Sequence, residues 1–457
     1  MSFTEPIFLI FLPVTVLLYR FFPKKARWTL LLAASLLFYA WHSVYLLGLL
    51  IFSVLVSYGC ARSMTAHPKK RRQALGWALA AELGLLAVFK YLNFLLGSAV
   101  GLWDLFGGSA NYRPVSILLP MGISFYTFQT LSYVLDVYHG KISAEKHLGY
   151  YALFITFFPQ LVAGPIERPA DLLPQLHTAP SPTPADRRAA MSLLLRGYAK
   201  KLLIADYFAQ FVDRVYGNVS HSGGMALALA TVLFAFQIYG DFSGYSDIAQ
   251  GCARLLGIRL SDNFRTPYAA NSIREFWQRW HRSLTGWFTD YLYIPLGGSR
   301  AGNLVTCRNI LLTFLVSGLW HGANWTFVLW GGLHGVYLIL ERFLFRNRSP
   351  GRLPTFLAVC LSWVFFRSPD VATAFTILGK ILTDFSLSGL DMGLLQVLLC
   401  AVLLFILPLL DRPAPAPEQP LTASRGAVYF FGILAILFAH FLLLTTQGAT
   451  GFLYFRF

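Results

Sequence analysis

Residues 274–298 have the sequence REFWQRWHRSLTGWFTDYLYIPLGG, and residues 309–335 have the sequence NILLTFLVSGLWHGANWTFVLWGGLHG. These two stretches decide the fold class, because the interval from Asn309 to Leu340 contains no Asp, Glu, Lys or Arg. His281 lies in the first stretch and His321 in the second. An ionisable side chain is costly in so apolar a run, which predicts that His321 is functional.

The composition shows that the apolar character of this run extends to the whole chain. Of 457 residues, 56% are hydrophobic and only 13% are charged, and the mean hydropathy is +0.56. These values are typical of a polytopic membrane protein. The net charge of +16 does not indicate nucleic-acid binding, because the basic residues fall in short loops between apolar runs. The five cysteines are scattered without a CxxC spacing, so neither a disulfide framework nor a metal site is expected.

Apolar runs predict the membrane spans and their orientation. The basic loops 23–27 and 66–73 are assigned to the cytoplasm, which places the N-terminus outside. We expect one integral-membrane domain over 1–457, with a motif-bearing core at about 115–345 and C-terminal spans within 353–446. The predicted spans are 6–22, 28–45, 46–60, 74–96, 115–137 (kinked at Pro120 and Gly122), 353–367, 371–386, 392–410 and 426–446.

Three further segments are apolar or amphipathic in other ways. Residues 148–163 are too short to cross a bilayer, which predicts a re-entrant or buried segment. Residues 187–216 alternate basic and aliphatic positions, which predicts an interfacial amphipathic helix. The apolar run 225–239 leads into a dense polar group, so Asp241 and Ser243 are expected to be buried or to line a water-filled cavity. Both are therefore candidates for lining a substrate path or orienting a substrate.

Residues 273–291 are predicted to form one aromatic-rich helix near the membrane interface. In that register, His281 shares a polar stripe with Gln278 and faces a wet or polar surface. Gln278 and Arg279 are candidates for orienting a substrate. The alternative is a helix at headgroup level, whose tryptophans and arginines are anchors and whose histidine only forms a hydrogen bond.

His321 has small residues on both sides, at Gly318 and Gly322, which permit a break or a close helix contact. Its imidazole changes charge near neutral pH, so it can take a proton from a hydroxyl and return it to a leaving group. Asn324 is a candidate for orienting that imidazole. The alternatives are a core histidine bonded to a backbone carbonyl, or a haem or metal ligand. His334 is expected to be structural.

Four motifs carry a resemblance to a known family. The two stretches quoted first, together with FPQLVAGPI at residues 158–166 and YGDFSGYSD at residues 239–247, resemble the membrane-bound O-acyltransferase superfamily. The similarity covers about residues 5–345 and is greatest to its bacterial polysaccharide O-acetylation branch. It implies an all-α polytopic fold, a multi-helix shell around a transmembrane tunnel. It also implies that His321 is the catalytic histidine and that His281 is the second polar position.

The resemblance further implies what is transferred. Acetyl-CoA enters from the cytoplasm, and the acetyl group goes to an extracytoplasmic polysaccharide such as alginate or peptidoglycan, as in exopolysaccharide biosynthesis. An oxyanion donor is needed, and the amide of Asn324 or the indoles of Trp320 and Trp325 are candidates. An intact polymer is too bulky to enter a tunnel, so we expect a periplasmic or membrane-tethered partner acetyltransferase. We expect location in the bacterial inner membrane among its lipids, no permanently bound cofactor or metal, and no nucleic-acid partner.

Two alternatives remain open from the sequence. A D-alanyl group on a carrier protein is a possible donor in place of acetyl-CoA, with teichoic acid as acceptor. A proton-coupled transporter is the other, with His281 and His321 as relay groups. Against the transporter, no acidic or basic residue lies beside His321, and the chain lacks paired broken spans.

Overall fold

The computed structural model describes residues 1–41, 43–110, 112–300, 302–345, 349–411 and 423–444. All regular secondary structure in these ranges is helical. The predicted last span, 426–446, ends in two residues that lie outside the described ones. The chain forms two compact units: the first is Met1–Pro182 with Leu255–Leu260, and the second is Thr183–Arg254 with Ser261–Phe457.

Five helices in the described part of the chain are long and apolar enough to cross a membrane. They are Val44–Ala66, Pro68–Leu105, Gly224–Leu255, Asn303–His321 and Trp325–Phe345. The prediction of an all-α polytopic membrane protein is therefore confirmed.

The first unit contains eight α-helices in its described residues. They are α1 (Phe8–Phe21), α2 (Arg27–Ala40), α3 (Val44–Ala66), α4 (Arg71–Leu86), α5 (Leu92–Leu105), α6 (Ile123–Tyr138), α7 (Leu148–Thr156) and α8 (Pro169–Thr178). A π-helical turn joins α4 to α5, and α3 packs against both α4 and α6. The short apolar segment that begins with α7 is buried, since Phe157 and Phe158 are fully inaccessible.

The predicted span 115–137 is wrong at its N-terminal end. Its helix does not kink at Pro120 and Gly122 but begins after them, at Ile123. Gly122 has φ 73°, a left-handed conformation that suits glycine. A Cβ at this position would also lie 2.8 Å from the carbonyl oxygen of Leu161. Gly122 therefore ends the irregular segment, and its lack of a side chain lets the motif at 158–166 pack directly against Gly122.

The second unit contains the two histidines, and its α-helices continue the numbering. They are α9 (Pro184–Tyr198), α10 (Asp206–Tyr216), α11 (Gly224–Leu255), α12 (Ile273–Arg279), α13 (Arg282–Phe288), α14 (Asn303–His321), α15 (Trp325–Leu340), α16 (Arg352–Arg367), α17 (Val371–Thr383), α18 (Leu394–Leu410) and α19 (Ala423–Leu444). Thr183 begins α9 with a capping box to Asp186, and a π-helical segment, Ala199–Ala205, joins α9 to α10.

Helix α11 is the buried centre of this unit. Its 32 residues include both the apolar run 225–239 and the polar group that follows it. Asp241 and Ser243 are each 2% exposed, so the polar group is buried within the protein, as predicted. Lys201 forms an ion pair with the Asp241 carboxylate, which lipid could not do.

Helices α14 and α15 form a closely packed hairpin, and the link between them is Gly322 to Asn324. The predicted break after His321 is confirmed. A Cβ added at Gly318 would lie 2.2 Å from the carbonyl oxygen of Phe327, and one at Gly331 would lie 2.1 Å from that of Phe314. Only glycine permits this approach, which is how small residues draw membrane helices together. The hairpin fixes His321 at the end of α14.

Candidate active site

The predicted continuous helix 273–291 is wrong, because it breaks at His281. Helix α12 ends at Arg279 and α13 begins at Arg282. Between them His281 has φ 40°, a left-handed conformation that is uncommon outside glycine. The break turns the imidazole inward, and His281 is 0% exposed. The expectation that His281 faces a wet or polar surface is therefore also wrong.

The loop between α11 and α12 holds this break in place. The N–H of Arg282 donates to the carbonyl oxygen of Asn263, and the N–H of Arg265 donates to that of Arg279. The Asn263 side chain adds a contact of 3.1 Å between its Oδ1 and Nδ1 of His281. A residue 18 positions earlier thus fixes the orientation of the ring.

His321 lies in a box of aromatic rings. The centroid of its imidazole is 5.0 Å from that of Trp320, 4.9 Å from that of Trp330 and 5.6 Å from that of Phe366. The side chain is only 3% exposed. Such surroundings exclude water and strengthen any electrostatic interaction within them.

The two histidines meet inside the second unit. Their ring centroids are 6.5 Å apart, with Trp320 beside both of them. Burial lowers the pKa of His281 to about 3, so this imidazole is neutral at physiological pH. A neutral imidazole offers one lone pair and one N–H, which is what acid–base chemistry on a hydroxyl requires.

A partly open cavity of about 880 Å³ approaches this pair, although neither histidine is in its lining. Its wall includes Trp277, Phe314 and Ser317. Ser317 precedes His321 by one helical turn on α14, a rise of about 6 Å. Arg274 and Arg342 also line the cavity and are exposed. The cavity therefore joins a basic surface to the vicinity of His321.

Gln278 is the one predicted substrate-orienting residue that lines this cavity. Arg279 instead forms an ion pair with Glu275 at 2.5 Å and donates to Thr266. Its side chain thus stabilises the loop before α12. Within the described part of the chain, the ion pair and hydrogen bonds of this side chain go to Glu275 and Thr266 and to neither histidine.

Asn324 and Trp325 lie away from the histidine pair. The Asn324 side chain accepts from the N–H of Thr326 at 3.1 Å and donates to the carbonyl oxygen of Pro369 at 2.8 Å, so it caps α15. Trp325 is 53% exposed on the first turn of that helix. Of the three side chains proposed as oxyanion donors, Trp320 alone packs against His321 in the described structure.

Asp241 forms an ion pair with Lys201. The distance between its Oδ1 and Nζ of Lys201 is 2.6 Å, and Asp206 lies 2.7 Å from the same Nζ. Burial alone would lower the pKa of Lys201, but the two carboxylates outweigh it and hold the pKa above its usual value. Ser243 is buried on the same helix as Asp241.

Lys200 has a second pair of carboxylates, Asp247 at 2.9 Å and Asp411 at 2.7 Å. Both lysines are 4% exposed. The prediction that residues 187–216 form one surface helix is therefore wrong for its central turn. The π-helical segment that carries these lysines faces the buried carboxylates, which compensate charges that lipid would not accept.

Comparison with known proteins gives a family for this site. The sequence model of the family described as "MBOAT, membrane-bound O-acyltransferase family" matches residues 142–379, a range that includes both histidines. A protein of Azotobacter vinelandii named "Probable alginate O-acetylase" is 36% identical, with 100% of both chains covered. The chain belongs to the membrane-bound O-acyltransferase (MBOAT) family.

Other relatives support the same assignment. A Pseudomonas aeruginosa protein that is also named "Probable alginate O-acetylase" is 40% identical, and the match covers 82% of this chain and 73% of the relative. A peptidoglycan O-acetyltransferase of Helicobacter pylori is 35% identical, and the match covers 82% of this chain and 79% of the relative. This MBOAT protein is an O-acyltransferase, and it is a multi-pass protein of the bacterial cytoplasmic membrane.

Two residues of the candidate site were missed from the sequence. Asn263 gave no pattern, because it lies in an irregular loop and its importance comes from a contact with His281. Phe366 was an apolar position in a predicted span, with no feature that set it apart as a neighbour of His321. Trp330 was expected from the sequence to line a narrow channel, and its ring packs on His321. His334 accepts from the indole N–H of Trp277 at 3.2 Å, a contact that agrees with its expected structural role.

Proposed function

We propose that this MBOAT protein transfers an acetyl group from cytoplasmic acetyl-CoA through the membrane for O-acetylation of an extracytoplasmic polysaccharide. The observation that carries the proposal is the cavity of about 880 Å³ that extends to Ser317, one turn from His321. This volume falls within the range of about 300–1,000 Å³ for small-molecule sites. The names of the relatives, alginate O-acetylase and peptidoglycan O-acetyltransferase, favour acetyl transfer to a polymer.

The cavity suits the shape of the donor. Arg274 and Arg342 at its exposed part are placed to attract the phosphates of coenzyme A, since guanidinium groups bind phosphate strongly. The pantetheine arm then extends along Trp277 towards Ser317. The thioester at its end reaches the aromatic box of His321.

The proposed reaction uses His321 as the general base. Its imidazole takes the proton of an acceptor hydroxyl while the hydroxyl oxygen attacks the thioester carbonyl carbon. The carbon–sulfur bond breaks, and the imidazolium returns the proton to the leaving sulfur. The indole N–H of Trp320 is the proposed donor to the oxyanion, because this ring packs on His321 at 5.0 Å. His281 orients the acceptor hydroxyl.

Burial of the site supports a role for a partner transferase. His281 is 0% and His321 is 3% exposed, so a polysaccharide chain has no direct access to either imidazole. We infer that a secreted or membrane-tethered partner takes the acetyl group and then modifies the polymer.

The donor is tested with inside-out membrane vesicles that contain the chain and its native partners. Radiolabelled acetyl-CoA is added, and label in the polysaccharide is counted. His321→Ala should abolish transfer at unchanged protein abundance, whereas His139→Ala, an exposed loop histidine, should not. Transfer only from long-chain acyl-CoA, or only from a D-alanyl carrier protein, would overturn the choice of donor.

The route of the donor is tested with single arginine variants. Arg274→Gln should raise KM for acetyl-CoA about tenfold with little change in kcat, because a charge-assisted contact to phosphate contributes more than 1.4 kcal/mol. Arg352→Gln is the matched control, since Arg352 is equally exposed and lies outside the cavity lining. Equal KM values for the two variants would exclude this entrance.

The partner is tested by reconstitution of the purified chain alone in liposomes with acetyl-CoA inside. We expect no acetylated polymer outside unless the partner fraction is added. Direct acetylation of the polymer without any partner would refute the relay.

A further inference from the structure

The loop residue Asn263 is 1% exposed, and its side-chain hydrogen bonds surround His281. Its Oδ1 lies 3.1 Å from Nδ1 of His281 and accepts from the backbone N–H of Ser283 at 3.3 Å. The hydroxyl of Ser283 donates to the same oxygen at 2.8 Å. On its other side, Nδ2 donates to the hydroxyl of Ser246 on α11 at 3.4 Å.

These contacts determine which nitrogen of His281 carries the proton. A backbone N–H can only donate, so the side-chain atom that faces the N–H of Ser283 is the carbonyl oxygen of Asn263. An oxygen that only accepts requires a donor at Nδ1 of His281. In the neutral imidazole the proton therefore resides on Nδ1, and Nε2 carries the lone pair.

We propose that Asn263 is a positioning residue for acyl transfer: it holds His281 as the Nδ1–H tautomer, so that Nε2 accepts a hydrogen bond from the acceptor hydroxyl. This inference rests on the proposed function, in which His281 orients that hydroxyl. Asn263 touches neither substrate nor reacting atom. It acts through the imidazole in the way that a carboxylate or amide orients the histidine of other acyl-transfer sites.

Aromatic rings surround the imidazole of His281. The rings that contact it include Phe242 of α11, Phe264 of the loop, and Trp320 and His321 of α14. His321 is the titratable group in that set. The neighbouring guanidinium of Arg282 lies 4.0 Å from the carboxylate of Asp262, and both side chains are partly exposed.

Asn263→Leu removes the acceptor and keeps the branched arrangement of heavy atoms. The imidazole is then free to place its proton on either nitrogen, so kcat should fall about tenfold to a hundredfold while KM for the donor stays constant. Ser246→Ala is the matched control, because it removes the partner on the Nδ2 side and leaves Oδ1 in place. Similar losses in the two variants would reduce Asn263 to a structural residue.

Asn263→Asp tests the same contact with a variant that retains the shape and the acceptor. The carboxylate favours the imidazolium and raises the pKa of His281. If transfer requires neutral His281, this group, whose pKa is about 3 in the wild type, should titrate about 1–3 units higher in the variant, and kcat should fall at acidic pH where the wild type is still active. An unchanged profile in a folded, active variant would contradict the proposal.

Nitrogen NMR of ¹⁵N-histidine-labelled protein in nanodiscs reads the tautomer directly, with His281→Gln used to assign the signals. We expect a protonated Nδ1 in the wild type and a lower Nδ1–H population in Asn263→Leu. A wild-type Nε2–H tautomer would overturn the inference. This measurement needs no acyl donor, so a failure of acetyl-CoA as substrate is distinguishable from a failure of Asn263 as the positioning residue.

Discussion

Replacement of Gly331 by alanine tests whether the packing of the α14–α15 hairpin controls the geometry at His321. The added Cβ would lie 2.1 Å from the carbonyl oxygen of Phe314, whereas ordinary contacts begin at 3.4 Å. The helices must therefore separate by about 1 Å, because the Cβ is held rigidly by the backbone of α15 and the carbonyl oxygen belongs to the backbone of α14. The neighbouring Trp330 ring packs on the imidazole of His321 at 4.9 Å, so the shift reaches the site.

The expected loss follows from this displacement. A misplacement of about 1 Å at a catalytic site can lower the rate about 100-fold. We expect Gly331→Ala to lower kcat for acyl transfer by about that factor, with a smaller effect on KM. The assay is transfer of labelled acetyl in native membranes at matched protein abundance.

Gly332→Ala is the matched control, because the adjacent glycine carries the same substitution on the same helix. A Cβ at Gly332 would meet only a side-chain carbon of Leu315, at 3.4 Å, which is an ordinary contact. This variant should retain nearly full activity. Equal activity of the two variants would refute the argument that the close crossing sets the position of His321.

Further predictions concern the buried ion pairs, a helix cap and the topology. Lys201→Met leaves the carboxylates of Asp206 and Asp241 buried without their cation, and we expect a loss of about 3–5 kcal/mol, measured as a lower thermal-aggregation midpoint in detergent. Asn324→Ala removes the cap of α15 and should cost about 1 kcal/mol in the same assay, with transfer largely retained. A cysteine at Ala66 should resist an impermeant reagent in intact cells, since the basic loop beside it is assigned to the cytoplasm.

The sequence predicts those parts of the fold that depend on local patterns. The uncharged run from Asn309 to Leu340 indicated a buried, functional His321, and the small residues after it indicated the break between α14 and α15. These features follow from composition and from glycine, which act within a few residues of their position.

Contacts between residues far apart in the sequence explain why other predictions were wrong. The break at His281 depends on Asn263, and helical periodicity alone favoured an uninterrupted helix there. The burial of Lys201 depends on Asp241, so a pattern of basic and aliphatic residues suggested a surface. Because of the same contact, Asp241 belongs to an ion pair, whereas the sequence had suggested that it orients a substrate.

The ion pair between Lys200 and Asp411 has a consequence for how the protein is made. The lysine leaves the ribosome 211 residues (411 − 200) before this carboxylate. At about 5–20 residues per second, the delay is roughly 10–40 s. During that time Asp247 alone pairs with Lys200, one carboxylate for one cation. Asp411, which directly follows α18, therefore enters a site in which Lys200 is already in place, so the late carboxylate meets its cation as soon as it is buried.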